Sequence, residues 1–80
     1  MSTEFEVTET VDVQGESCPM PVVETRGAID DLASGDVLEV LATDSGSVSD
    51  IAGWAETVDD AELLDQTDDG SVYSHYLRKL

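Results

Sequence analysis

Eighty residues with nineteen acidic and three basic side chains carry a formal net charge of −16 at pH 7. That charge repels polyanions, which argues against direct binding to nucleic acid or to an anionic membrane. The length allows one domain with a thin core, the single cysteine excludes an internal disulfide, and no apolar run is long enough for a signal peptide or a membrane span. The expectation is a reduced, soluble, cytoplasmic protein. High charge can also signal disorder, but here the acids are interleaved with regular apolar positions. Acid-rich, lysine-poor surfaces suit concentrated salt, where screening is nearly complete, so the composition points to a salt-adapted host.

Residues 1–4 read as a flexible tail and residues 5–80 as one domain. From Phe5 to Val13 the odd positions are Phe5, Val7, Glu9, Val11 and Val13 and the even ones are polar, which predicts a half-buried strand with Glu9 out of place in a core. Gly15 turns the chain into Gly15–Pro21, the stretch that holds the only cysteine and both prolines. A residue before proline is pushed out of the helical region, and proline is favoured in a helix's first turn. Cys18 is therefore read as N-cap, Pro19 as N1, Met20 as N2 and Pro21 as N3, with the helix running to about Ala33. Its inner face is Val22, Thr25, Ile29 and Leu32 with Ala28 and Ala33 alongside, while Glu24, Asp30 and Asp31 point out. Gly27 weakens the helix unless it permits close packing on the sheet. Ser34-Gly35 ends it.

Val37 to Ala42 reads as a central strand. Asp44 or Ser45 then caps a second helix with Val48, Ile51, Ala52 and Ala55 facing inward and Trp54 beside that stripe, read as core or rim packing with a partner-binding anchor as the alternative. Ala61–Thr67 and Ser71–Leu80 form a hairpin about Asp68-Asp69-Gly70. In the last strand both Tyr73, His75, Leu77 and Val72, Ser74, Tyr76 carry apolar surface, so periodicity does not choose the inner set. The fold class is α/β (α+β): a two-layer sandwich in βαβαββ order, its four-stranded sheet covered on one face by two helices. The uncovered face, with Val37 or Leu38, is a candidate partner surface.

The chemistry converges on Cys18. The two prolines remove two of the donors in the helix's first turn, which leaves the Met20 N–H near a sulfur at the N-cap. The positive end of the helix dipole favours a thiolate there. Such a thiol is a nucleophile; the alternative is a small buried hydrophobe. Arg26 lies eight residues on, about 12 Å along a helix, and gives weak electrostatic support, while Glu16 raises the thiol pKa. His75 reads as a strand residue with a half-buried ring. One cysteine and one histidine do not make a zinc site, and no phosphate loop or Ser-His-Asp arrangement is present. Pairs such as Asp30-Asp31, Asp59-Asp60 and Asp68-Asp69 are solvated surface.

The run Asp12-Val13-Gln14-Gly15-Glu16-Ser17-Cys18-Pro19-Met20-Pro21 resembles the D-x-x-G-x-x-C-P-x-P signature of the TusA/SirA-like sulfur-carrier family. Ser34-Gly35-Asp36 is similar to that family's turn after the first helix, Asp44 and Asp50-Ile51-Ala52-Gly53-Trp54 to its second helix, and Tyr73 to Lys79 to its last strand. The resemblance implies the same sandwich fold and a sulfurtransferase chemistry. A sulfane sulfur is accepted as a persulfide on Cys18 and relayed to an acceptor protein, with Asp12, Gly15, Pro19, Met20 and Pro21 shaping the loop. It implies no cofactor and no metal, a donor such as a cysteine desulfurase or a rhodanese-like protein, and service in tRNA thiolation, molybdenum-cofactor assembly or sulfur oxidation without choosing among them. The competing reading is a non-catalytic redox-responsive or protein-interaction module with Cys18 reversibly oxidised or joined to a small thiol.

Overall fold

The structure is a computed structural model that describes residues 6–17 and 19–80; the tail at 1–4, Phe5 and Cys18 lie outside the described residues. The elements are β1 (Glu9–Val13), α1 (Met20–Asp30), β2 (Val37–Ala42), α2 (Ser47–Thr57), β3 (Ala61–Asp68) and β4 (Tyr73–Lys79). They form a two-layer α+β fold in the expected βαβαββ order, with sheet order β1-β2-β4-β3. β1 and β2 are parallel, joined through α1, while β4 is antiparallel to both β2 and β3. Within the described residues β1 begins only at Glu9; before it Val7 is exposed, and Thr8 meets Val37 twice, its N–H donating to the Val37 carbonyl at 2.7 Å and its Oγ1 accepting the Val37 N–H at 3.1 Å.

Alternation sends Val11 and Val13, Leu38, Val40 and Ala42, and His75 and Leu77 toward the helices, where they meet Ile29 of α1 and Ile51 of α2. Fully burying each large aliphatic side chain contributes about 1.5–3 kcal/mol. The inner set of β4 is thus Tyr73, His75 and Leu77, the choice that periodicity left open. Leu38 belongs to the core, so of the two residues expected on the uncovered face only Val37 has the parity for it, and it is buried. That face is polar at its centre: the Glu39 carboxylate accepts from Thr10 Oγ1 at 3.0 Å and from the Tyr76 hydroxyl at 2.8 Å. Partial burial, and after it this bond to Glu39, push the Tyr76 phenol above its ordinary range.

Several boundaries differ from expectation. α1 ends at Asp30, not near Ala33, because the backbone tightens into i→i−3 bonds, Asp31 to Ala28 and Leu32 to Ile29, and Asp36 Oδ2 accepts from the Ala33 N–H. Neither Asp44 nor Ser45 caps α2. A turn from Asp44 to Ser47 comes first, with Ser47 N–H donating to the Asp44 carbonyl at 3.0 Å, and Gly46 takes the cap position without a side-chain bond. Gly27 does not pack on the sheet; a Cβ there would meet nothing within 4 Å. Trp54 is half-buried against the core, as rim packing.

His75 is fully buried rather than half-buried, and both ring nitrogens are engaged. Gln66 Nε2 donates to the Val48 carbonyl at 2.9 Å and to His75 Nδ1 at 3.0 Å. With Nδ1 accepting, the ring proton sits on Nε2 and is donated to Ser47 Oγ at 3.2 Å. Gln66 reaches this position because Leu64 is an extra residue in β3: the register slips between Leu63 and Asp65, which puts Gln66 opposite His75.

Candidate functional site: the turn before the first helix

β1 and β2 end side by side, with Val13 paired to Ala42. The residues just beyond these parallel strands build the candidate site. Asp12 Oδ1 accepts the Gln14 N–H at 3.0 Å, closing an Asx turn over the end of β1. The Glu16 N–H returns to the Val13 carbonyl at 3.1 Å. Between them Gly15 has φ +85°, a left-handed conformation that a side chain resists. Its N–H donates to Thr43 Oγ1, at the exit of β2, over 2.8 Å. Asp12 and Gly15 therefore have local backbone reasons to stand three residues apart.

The helix begins one residue later than expected. The Met20 N–H turns back to the Ser17 carbonyl at 2.9 Å, and the first helical acceptor is the Pro19 carbonyl, bonded by Val23 N–H at 3.1 Å. Pro19 is therefore the N-cap, Met20 N1 and Pro21 N2. Cys18, the expected N-cap, directly precedes Pro19 in sequence and lies outside the described residues. The Met20 amide, expected to be left for a sulfur, is committed to Ser17. Pro21 still sits where no intrahelical donor is required. It is buried, and its carbonyl accepts a second bond from Thr25 Oγ1 at 2.7 Å. Ser17 and Pro19 are both exposed. So are the apolar side chains that follow, Met20 at 43% and Val23 at 51%, one turn apart on the same face of α1.

The electrostatics around the turn are mixed. No acidic residue stands in the first turn of α1, in a chain with nineteen acids, so the positive end of its dipole is not neutralised there. Glu16 is pushed above the ordinary carboxyl range, first by a hydrogen bond shared with Glu24, then by partial desolvation and the charges of Glu24 and Asp12. Glu24 is the neighbour that sequence reasoning missed: it is eight positions from Glu16, and only the turn of the chain brings them together. Arg26 is not at this turn. With Asp30 it lines a separate cavity of about 390 Å³ at the far ends of the helices, beside Trp54, Thr57, Val58 and Asp60. Among the described residues no group of three His, Cys, Asp or Glu side chains is placed to hold a metal ion.

The family described as sulfurtransferase TusA matches residues 9–79, from the first residue of β1 to the last of β4. The chain belongs to the TusA family. A protein of Halobacterium salinarum named as a sulfur carrier is 62% identical over 79 residues, spanning 99% of this chain and 98% of that one. The sulfur carrier protein TusA of Allochromatium vinosum is 31% identical over 71 residues, covering 89% of this chain and 92% of its own. A solved SirA-like protein from Desulfitobacterium hafniense superposes with a TM-score of 0.70 at 28% identity, over 88% of this chain and 95% of that one. These relatives span nearly the whole TusA-like chain, so the likeness covers the sandwich and the turn together.

Proposed function

We propose that this TusA-family protein is a sulfur carrier that takes a sulfane sulfur onto Cys18 and passes it to an acceptor protein. The observation that supports this most is the position of the lone thiol. It stands in sequence between two exposed residues, Ser17 and Pro19, at the entrance to a helix whose first turn bears no acid. Helix N-termini lower cysteine pKa, and the thiolate is the nucleophile. Loading is a thiol–disulfide type of exchange. The Cys18 thiolate attacks the terminal sulfur of a donor persulfide, the donor's S–S bond breaks, and the donor thiolate leaves. Cys18 then carries the persulfide. An acceptor thiolate repeats the attack on the outer sulfur and regenerates Cys18, with no net oxidation. The lack of a second cysteine suits the cycle, because nothing within the chain can discharge the persulfide as a disulfide. The exposed Met20 and Val23 offer an apolar contact beside the thiol for donor and acceptor proteins.

The donor in this reading is a cysteine desulfurase or a rhodanese-like protein, and the acceptor serves tRNA thiolation, molybdenum-cofactor assembly or a related pathway. The setting is cytoplasmic, where thiols stay reduced; among the described residues no helix is long and apolar enough to cross a membrane.

The test is incubation with a cysteine desulfurase and cysteine, followed by intact mass. The natural protein should gain the mass of one sulfur atom, lose it to reductant, and transfer it to a partner. Cys18→Ser should gain nothing while melting close to the natural protein. An oxygen or glutathione adduct on Cys18 with no sulfur adduct would instead support the redox-responsive module.

A further inference from the structure

We propose that Thr43 is a positioning residue for the sulfur-bearing turn, a role that rests on the carrier reading of Cys18. Three successive amides, those of Gln14, Gly15 and Glu16, have hydrogen-bond partners. Two partners are local: Asp12 Oδ1 for Gln14 and the Val13 carbonyl for Glu16. These fix the shape of the turn but not its direction, since a turn bonded only to itself can swing as a unit on the end of β1. The third partner, Thr43 Oγ1, comes from the exit of β2, twenty-eight positions away in sequence. It ties the middle of the turn to the neighbouring strand, and Cys18 follows three residues later.

The left-handed backbone of Gly15 aims its N–H sideways out of the turn, and the hydroxyl oxygen of Thr43 meets it at 2.8 Å. The strand beneath is well anchored: Ala42, the residue before Thr43, is buried and paired on both sides, to Val13 and to Tyr73. Thr43 is thus an exposed polar side chain on a firmly paired strand, reaching across to a turn whose other amide bonds are local. Reactive groups lose rate steeply when their mounting shifts by about 1 Å. Losing this one tie should therefore act on thiol reactivity more than on folding.

The experiment compares the natural protein with Thr43→Val and Thr43→Ser in concentrated potassium chloride. Thr43→Val keeps the β-branched shape and removes the acceptor; Thr43→Ser keeps the acceptor and removes only a methyl group. Three quantities are read: the thermal midpoint, the pH profile of Cys18 alkylation by iodoacetamide, and the rate of persulfide loading from a desulfurase. Loss of one neutral hydrogen bond corresponds to roughly a three- to tenfold change. Thr43→Val should slow loading by about that factor and move the alkylation profile to higher pH, with a midpoint within a few degrees of the natural protein's. Thr43→Ser should restore both rates to within about twofold. Unchanged alkylation in Thr43→Val, or a deficit in Thr43→Ser as large as that in Thr43→Val, overturns the proposal. If the natural protein takes up no sulfur at all, the carrier reading fails on its own; a valine-specific, serine-rescued shift in alkylation would still establish Thr43 as the residue that sets the turn. Should Thr43→Val melt too low to assay, Thr43→Ala serves in the same comparison.

Discussion

His75 is held neutral by the groups its two nitrogens meet. The Gln66 amide can only donate at Nδ1, so a proton added there would face another proton, and burial opposes the charge as well. Burial accordingly holds the His75 pKa below its ordinary value of 6.5. The unfolded chain then binds a proton that the folded one refuses, so the contribution of His75 to stability is fully present above pH 6.5 and is lost as the pH falls below it. Glu16 works in the opposite sense. Its folded pKa is raised, so it disfavours the folded state at neutral pH, and that penalty is relieved as the pH falls toward the carboxyl range. The two slopes oppose each other, because relief at Glu16 begins already at its raised folded pKa. Comparison of variants isolates the histidine's part: between pH 7.5 and 5.5 the thermal midpoint should fall further, or rise less, in the natural protein than in His75→Gln. Identical slopes in the two proteins would contradict the neutral buried ring.

Among the elements, both helices carry a glycine that does nothing for packing. Gly27 in α1 and Gly53 in α2 are exposed, and a Cβ at either would meet nothing within 4 Å. Neither has a positive φ. Alanine at either site should therefore stabilise the protein by about 0.5–1 kcal/mol through helix propensity and reduced freedom of the unfolded chain. Denaturant titration in molar salt measures this. A loss of stability at Gly27 would mean that this face of α1 is covered by something in solution that a methyl group obstructs. Gly15, Gly35 and Gly70 are the contrasting case, with φ of +85°, +93° and +98°. At Gly70 the tight turn is further held by Asp69, whose Oδ1 accepts the amides of Ser71 at 3.0 Å and Val72 at 2.8 Å; those two bonds lower the Asp69 pKa.

For the whole molecule, charge is the dominant quantity. Two of the three basic residues are paired, Arg78 with Glu62 at 3.5 Å and Lys79 with Asp60 at 3.7 Å; both acids are half exposed, and the Lys79 side chain is mostly buried. The exposed Arg78–Glu62 pair contributes little, about 0–1 kcal/mol. Two pairs do not offset a net charge of −16 on one small domain. Self-repulsion should therefore dominate in dilute buffer and vanish in concentrated salt, as the Debye length shrinks from about 30 Å at 0.01 M to about 3 Å at 1 M. We expect the thermal midpoint to climb steadily from millimolar to molar potassium chloride. A flat or falling midpoint would remove the basis for a salt-adapted host.

The sequence by itself determined the order of elements, because each is announced within a few residues: alternation in β1, a short apolar run in β2, helical spacing in Val22, Thr25 and Ile29, and Asp-Gly in the hairpin. It also determined the Asp12–Gly15 turn, whose chemistry is local: a carboxylate accepting the amide two residues on, and a backbone conformation suited to glycine. Tertiary structure decided what depends on register and on distant partners. The face that β4 buries follows from its pairing with β2, since both of its faces are partly apolar. An extra residue at Leu64 turned Gln66 inward to meet His75, and no periodicity announces such a slip. The bond from Ser17 to Met20 moved the helix start past Cys18 to Pro19, and the hydroxyl that orients the turn came from Thr43, at the end of another strand. A chain's local preferences reach three or four residues; a hydrogen bond across twenty-eight exists only once the sheet has put its two ends together.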